Sequence, residues 1–292
     1  MIVNCINEKT PIIEINCDHL VEFNYTDVAK FNKIANLISV ETGVPKKLIY
    51  TEPRFFFINN WHKIGNDWYF FKNCKDYDFY FINELLGEVI SNYFNLDTVH
   101  YQVAKLSVLG QRPQYGVLSK NICDKRFPYK TAWDYGFKPN QDLSILDNLK
   151  KVCKNEEEYQ LLLDDIKKLF IRDFYTSQLD RTGNNFLFKE TPEGIRLAPL
   201  LDYENAFESI APERYRNQIG EIDLRNKETR EVIKKDFRFQ GLLHILMNAN
   251  MQVFLDNVED THKIIIPDGE KKYYLKSDEN IKRLVRKNRI IR

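Results

Sequence analysis

At 292 residues, with 43% apolar and 13% aromatic side chains, the chain can bury a sizeable core as one large domain or two lobes. Its formal net charge of +1 excludes a general polyelectrolyte binder of nucleic acid. No apolar run reaches the roughly 18–20 residues of a membrane span.

Five cysteines (Cys5, Cys17, Cys74, Cys123 and Cys153) form no CxxC pair. That pattern points to reduced thiols in a cytoplasmic protein, not to disulfides or zinc. The N-terminus lacks a basic region followed by a long apolar run, so no classical signal peptide is expected. Export as an effector by a route without such a signal stays open.

Residues 1–53 read as a small separate N-terminal unit. Ile12 to Ile15 predicts a strand. Thr26 is placed to cap a helix whose apolar face carries Phe31, Ile34, Leu37 and Ile38, ending at Gly43-Val44-Pro45. No chemistry is assigned to this unit beyond packing or the docking of a protein partner.

A hairpin is expected next, with strands Arg54–Asn60 and Asp67–Asn73 joined by His62 to Asn66. One glycine in that turn is a weak phosphate-loop signal. If the hairpin covers phosphates, backbone amides and Lys63 would do so. Trp68-Tyr69-Phe70-Phe71 is strongly β-prone and ends in Lys72. A lysine there is ordinarily an exposed strand terminus.

A helix follows with Ile82, Leu85, Leu86, Val89, Ile90 and Tyr93 on its apolar face. Glu84 and Glu88 lie one turn apart on a neighbouring face, where solvated glutamates are common. Val99–Leu109 and Tyr115–Ser119 predict two further strands around a turn at Gln111–Gln114, completing an antiparallel sheet. From Lys120 to Asp147 the chain is polar and turn-rich, as in a crossover between lobes. Ser119 and Lys120 are therefore candidates for a hinge.

Residues 156–178 predict a long buried helix, with Tyr159, Leu162, Leu163, Ile166, Leu169, Phe170 and Phe174 on a 3.6-residue period. It delivers the chain to Leu179-Asp180-Arg181-Thr182-Gly183-Asn184-Asn185. Asp180 and Asn185 have the spacing of a kinase catalytic loop, in which the Asp accepts the substrate hydroxyl proton and the Asn holds a metal ion. A short hairpin, Phe186–Phe188 and Ile195–Leu201 about a turn at Glu190–Gly194, would fold Asp202 back towards Asn185. Such a pair suits Mg²⁺, which takes few protein oxygens and fills its shell from phosphates and water. With these in view, Lys72 and a helix glutamate acquire a reading as the pair that positions the α- and β-phosphates, with Glu84 preferred to Glu88.

The charged segment Glu208–Glu231 reads as solvated surface in preference to an activation-type loop, with Ser209 and Tyr215 as conceivable phosphosites. Residues 228–257 look helical. The tail carries Lys282, Arg283, Arg286, Lys287, Arg289 and Arg292. With Ile281, Leu284, Val285 and Asn288 as an inner stripe, it reads as the solvated face of a helix.

Asp180-Arg181-Thr182-Gly183-Asn184-Asn185 resembles the Asp-Arg-His-x-x-Asn loop of HipA-like kinases, a branch of the protein-kinase-like superfamily. Leu197-Ala198-Pro199-Leu200-Leu201-Asp202 resembles their Leu-Ala-Pro-x-x-Asp strand end. Tyr69–Lys72 and Gly116–Asn121 are similar as well, and the likeness spans roughly residues 54–255. Thr182 departs from the family's His, and residues 1–53 do not match.

The resemblance implies an α+β, bilobal protein-kinase-like fold with an antiparallel-sheet N-lobe and a mainly helical C-lobe. The expected divisions are an extension (1–53), an N-lobe (54–120) and a C-lobe with a basic tail (121–292). The implied activity is ATP- and Mg²⁺-dependent transfer of the γ-phosphate to a Ser or Thr hydroxyl of a protein. Asp180 is the expected base, Asn185 and Asp202 the expected Mg²⁺ ligands, and Lys72, Glu84, Lys63, Ser119 and Lys120 the expected ATP-binding residues. The alternatives are a non-catalytic nucleotide-binding or interaction module, or a kinase of a lipid or small molecule.

Overall fold

The computed structural model describes residues 4–17, 28–49, 60–74, 78–123, 125–126, 129–135, 149–178, 186–192, 194–207, 214–216, 221–223 and 227–291. A strand-rich lobe precedes a helical one. The first sheet contains β1 (Ile13–Cys17), β2 (Trp61–Ile64), β3 (Asp67–Asn73), β4 (Tyr101–Val108) and β5 (Gln114–Lys120), in the order β1-β4-β5-β3-β2. The pairings among β2, β3, β5 and β4 are antiparallel, as expected, while β1 adds in parallel to β4 with Ile15 opposite Leu106.

The N-terminal residues, expected as a small extension, thus contribute a strand to this sheet. Their strand buries Ile15 in one cluster with Phe71, Leu106 and Leu118. Helix α1 (Val28–Thr42) and the short α2 (Lys46–Ile49) pack Phe31, Ile38 and Ile49 against Trp61 and Trp68. Ala35 takes the buried place expected of Leu37, which is 56% exposed. Asn7 and Thr10 bond the carbonyl of Lys263 in the other lobe, each at 2.8 Å. Thr26 lies outside the described residues.

The hairpin is shorter than its pattern suggested. Ile64 pairs with Asp67, so only Gly65 and Asn66 connect the strands, and His62 and Lys63 belong to β2 itself. Gly65 has φ +61°, the conformation a two-residue turn demands at its first position. Of the expected strand Arg54–Asn60, residues 54–59 lie outside the described residues.

Helix α3 (Asp78–Tyr93) lies behind this sheet with Phe81, Ile82, Leu85, Leu86 and Ile90 buried. In the second lobe, β6 (Tyr129–Thr131), β7 (Leu187–Thr191) and β8 (Gly194–Leu197) form a small antiparallel sheet. The long helix α4 (Glu156–Thr176) starts where the Asn155 side chain accepts from the Glu158 N–H. Three glutamates in its first turn suit the positive end of the helix dipole. It stops at Ser177, in the left-handed conformation.

The segment read as solvated surface contains two paired strands, β9 (Arg214–Arg216) and β10 (Glu221–Asp223). Ser209 lies outside the described residues and Tyr215 falls in β9. Residues 228–257 divide into α5 (Lys227–Lys235), α6 (Phe237–Asn248) and α7 (Met251–His262). The breaks fall at Asp236 and Asn250, whose side chains cap the helices that follow them. Of the basic tail, Lys282, Arg283, Arg286 and Lys287 lie in α8 (Asp268–Lys287), with Tyr274, Ser277, Ile281 and Val285 inside; Arg289 follows the helix and Arg292 lies outside the described residues. One core runs through the molecule, joining Leu85 and Ile90 to Phe170, Phe174, Phe188, Leu243 and Leu255. None of the described helices is long and apolar enough to cross a membrane.

Candidate active site

β3 is flanked on both edges, by β2 and β5, and its β-prone run holds Lys72 opposite Val117. From there the ammonium reaches the carboxylate of Glu84 on α3. Glu84 is fully buried; its oxygens also accept from the Tyr203 N–H, both at 3.1 Å. Burial of a glutamate at this depth needs such partners, since an unpaired carboxylate is costly away from water. Glu88, the other candidate, is drawn elsewhere. It accepts from the Tyr101 N–H at 2.9 Å and pairs with His100 at 2.7 Å.

The β7–β8 hairpin returns the chain along the first lobe. Leu200 donates to the Asp97 carbonyl at 2.8 Å and accepts from the Val99 N–H at 2.9 Å. Two residues later Asp202 adopts φ +65°, a conformation that aspartate tolerates better than most side chains. Its N–H donates to the Tyr101 hydroxyl at 3.2 Å, and its carbonyl accepts from the Gln178 amide at 3.3 Å. Gln178 is the last described residue before positions 179–185, so the chain just past the end of α4 is tied directly to Asp202. The Asp202 carboxylate meets Lys72 as well, and Glu204 lies 3.3 Å from the same ammonium.

One lysine thus faces three carboxylates. Burial works against the Lys72 charge, but Asp202, Glu84 and Glu204 outweigh it and hold its pKa well above the ordinary lysine value. Burial and the Glu84 charge likewise push the Tyr101 hydroxyl up, so it stays protonated. Oxygens of Glu84, Asp202 and Glu204 all lie within 4.8 Å of one another. An all-oxygen set with surplus negative charge fits a hard divalent cation such as Mg²⁺. Asp202 and Glu204 are the members that Tyr203 N–H does not already engage.

Of the residues expected from sequence, Lys72, Glu84 and Asp202 converge here. Asp180 and Asn185 lie outside the described residues. Lys63 turns its ammonium to Glu41 at 3.1 Å and not into this cluster. Ser119 is nearly buried at the end of β5, opposite Phe70 and Tyr101, and the exposed Lys120 pairs with Asp67 at 2.8 Å. Both stand where the chain leaves the sheet.

Glu204, Gln178, Tyr101 and Arg172 were not singled out by sequence. Arg172 is fully buried in α4, donates to the Gly87 carbonyl at 3.2 Å, pairs with Asp173 at 2.9 Å and stacks 4.3 Å above the Tyr203 ring. A second acid two residues beyond Asp202 and an arginine on an otherwise apolar face were the available signals.

No family model matches the chain, and no curated protein matches it. Solved structures do. CtkA, a proinflammatory kinase of Helicobacter pylori, superposes with a TM-score of 0.53 at 12% identity, covering 76% of this chain and 89% of that one. HipA of Shewanella oneidensis MR-1, from a toxin–antitoxin complex with HipB and operator DNA, gives 0.50 at 12% identity, covering 86% of this chain and 70% of that one. The chain has the fold of the HipA-like kinases. In this chain Lys72 stands on β3, Glu84 on α3, and Asp202 on the segment that follows β8. At 12% identity the likeness concerns the fold, and the chemistry rests on the residues themselves.

Proposed function

We propose that this protein is an ATP- and Mg²⁺-dependent kinase that transfers the γ-phosphate to a Ser or Thr hydroxyl of a protein. The observation that carries the reading is the meeting of Lys72, Glu84 and Asp202, contributed by three separate segments, with Asp202 bonded to Gln178 just past the end of α4. Glu84 would hold the Lys72 ammonium in place for the α- and β-phosphates. Asp202, with Asn185 and Glu204, would hold the metal, whose contribution is to neutralise charge on the transferring phosphoryl group. Asp180 would orient the acceptor hydroxyl and take its proton. Ser119 and Lys120 would stand beside the adenine at the hinge. The five free cysteines suit a cytoplasmic site of action, where thiols stay reduced.

Incubation with Mg²⁺, γ-labelled ATP and a generic protein acceptor, set beside Asp180→Ala, tests this. Label on Ser or Thr from the wild type only is the expected result. Label on neither sample, together with no ATP binding, would defeat the reading. Label passing only to lipid or a small alcohol would move the substrate class.

A further inference from the structure

We infer that Asn83 is a positioning residue for Asp202 and Glu204, and that the C-terminal helix α8 reaches the site through it. The inference rests on the kinase reading above. Asn83 precedes Glu84 on α3 and is fully buried. Asparagine is a poor helix former, and an amide in a core must find partners for both its ends. Its Nδ2 donates to the carbonyls of Glu204 and Ala206, at 2.8 and 2.7 Å, and its Oδ1 accepts from the Tyr274 hydroxyl at 2.9 Å. Two donors and one acceptor are used, which a carboxylate or an apolar side chain of the same shape cannot reproduce.

The two carbonyls belong to the tight turn that follows Asp202, closed by Ala206 N–H on the Tyr203 carbonyl at 2.8 Å. Consecutive residues of α3 therefore grip this turn. Glu84 accepts from Tyr203, and Asn83 donates to Glu204 and Ala206. Tyr274 closes the far side. It is fully buried, stacks on Phe79 with centroids 5.8 Å apart, and meets Phe207 edge-on at 5.1 Å. Its neighbour Tyr273 donates to the Phe207 carbonyl. The direction in which Asp202 and Glu204 present their carboxylates is thus set by a buried amide that α8 holds in orientation.

Two variants of the full chain test this. Tyr274→Phe removes only the hydroxyl that orients the amide, and Asn83→Leu replaces the amide by an apolar group of similar size. Two readouts apply. One is amide hydrogen exchange of residues 202–207 in the ligand-free protein. The other is the Mg²⁺ concentration that half-saturates ATP binding by calorimetry. Exchange at 202–207 should quicken selectively, with α6 and α7 unchanged. The Mg²⁺ half-saturation should rise about tenfold in Asn83→Leu and less in Tyr274→Phe, the scale of one or two lost buried hydrogen bonds. A packing role alone would lower the melting temperature without moving the Mg²⁺ requirement. Wild-type exchange and wild-type Mg²⁺ dependence in folded Tyr274→Phe, and in Asn83→Leu if it folds, would overturn the inference while leaving the kinase reading intact. A wild-type protein that binds no ATP with Mg²⁺ would instead defeat the kinase reading, and the exchange result would then decide the hold on 202–207 by itself.

Discussion

The ring of Tyr203 lies so close to the backbone of Gly87 that a Cβ at residue 87 would sit 2.2 Å from its Cγ. Glycine at the middle of α3 lets the residue after Asp202 pack directly on the helix that carries Glu84, and the Arg172 guanidinium lies over the same ring, 4.3 Å from its centroid. Position, not helix propensity, accounts for the glycine.

Gly87→Ala is therefore expected to destabilise the protein. Alanine gains about 1 kcal/mol of helix propensity over glycine. Overpacking against the ring of a fully buried tyrosine costs about 1–3 kcal/mol, and the clash is with the near end of the side chain, which cannot swing clear. Denaturant unfolding should give a net loss, accompanied by weaker ATP binding with Mg²⁺. A variant at least as stable as the wild type would show that Tyr203 can move aside.

Arg172 and Asp173 are both fully buried. Arg172→Met removes the cation facing Asp173 and the donor to the Gly87 carbonyl, and should cost about 3–5 kcal/mol. Arg172→Met combined with Asp173→Asn should recover part of that loss, because the buried negative charge goes too. A double variant no more stable than Arg172→Met would place the cost in packing on Tyr203.

Asp202→Asn should abolish Mg²⁺-dependent ATP binding and leave the fold intact. Its side chain is 28% exposed, and Lys72 keeps Glu84 and Glu204 as partners. Relieving one of three carboxylates around a single ammonium should leave the ligand-free stability unchanged or slightly higher. Titration calorimetry with and without Mg²⁺ decides. Undiminished metal dependence would remove Asp202 from the proposed metal set.

Asp180→Ala should separate turnover from binding. A group that acts on the attacking hydroxyl contributes mainly in the transition state. Loss of kcat should reach at least about 10²-fold, with ATP affinity within a few-fold of the wild type. Near-normal turnover on a verified hydroxyl acceptor would sink the catalytic-loop assignment.

His262 supplies a pH dependence of stability. Burial, with a smaller contribution from His100, lowers its pKa from 6.5 to about 4. As pH falls below 6.5 the unfolded chain takes up the proton and the folded one does not, so stability declines between pH 6.5 and about 4. The decline attributable to this group is on the order of 3 kcal/mol. Across that window the unfolding free energy of the wild type should fall by roughly 3 kcal/mol more than that of His262→Leu. Parallel curves would show that His262 is protonated in the folded protein.

Local pattern carried much of the architecture. The β-prone run before Lys72, the 3.6-residue period of α4 and the apolar face of α3 are written in neighbouring residues, and each forms where its period puts it. The hairpin bringing Asp202 back was legible because its strands and turn are contiguous. The chain order of lysine, glutamate, loop and aspartate sufficed to suggest the fold that CtkA and HipA share.

Local pattern could not choose between Glu84 and Glu88, which occupy one face a turn apart. Packing chose, because Tyr203 N–H and Lys72 meet Glu84 while the start of β4 takes Glu88. It could not mark Asn83, Gln178 or Arg172 either, since each looks like an ordinary polar residue until the partners that bury it arrive from 24 or more positions away. Nor could it place β1, whose parallel pairing with β4 joins residues separated by ninety-one positions. Sequence by itself determined the elements and the order of the reactive groups, because those depend on spacing along the chain. Only the tertiary structure decided which charges are buried, which carboxylates share Lys72, and which amide orients the turn after Asp202. Those depend on desolvation and on contacts between distant segments.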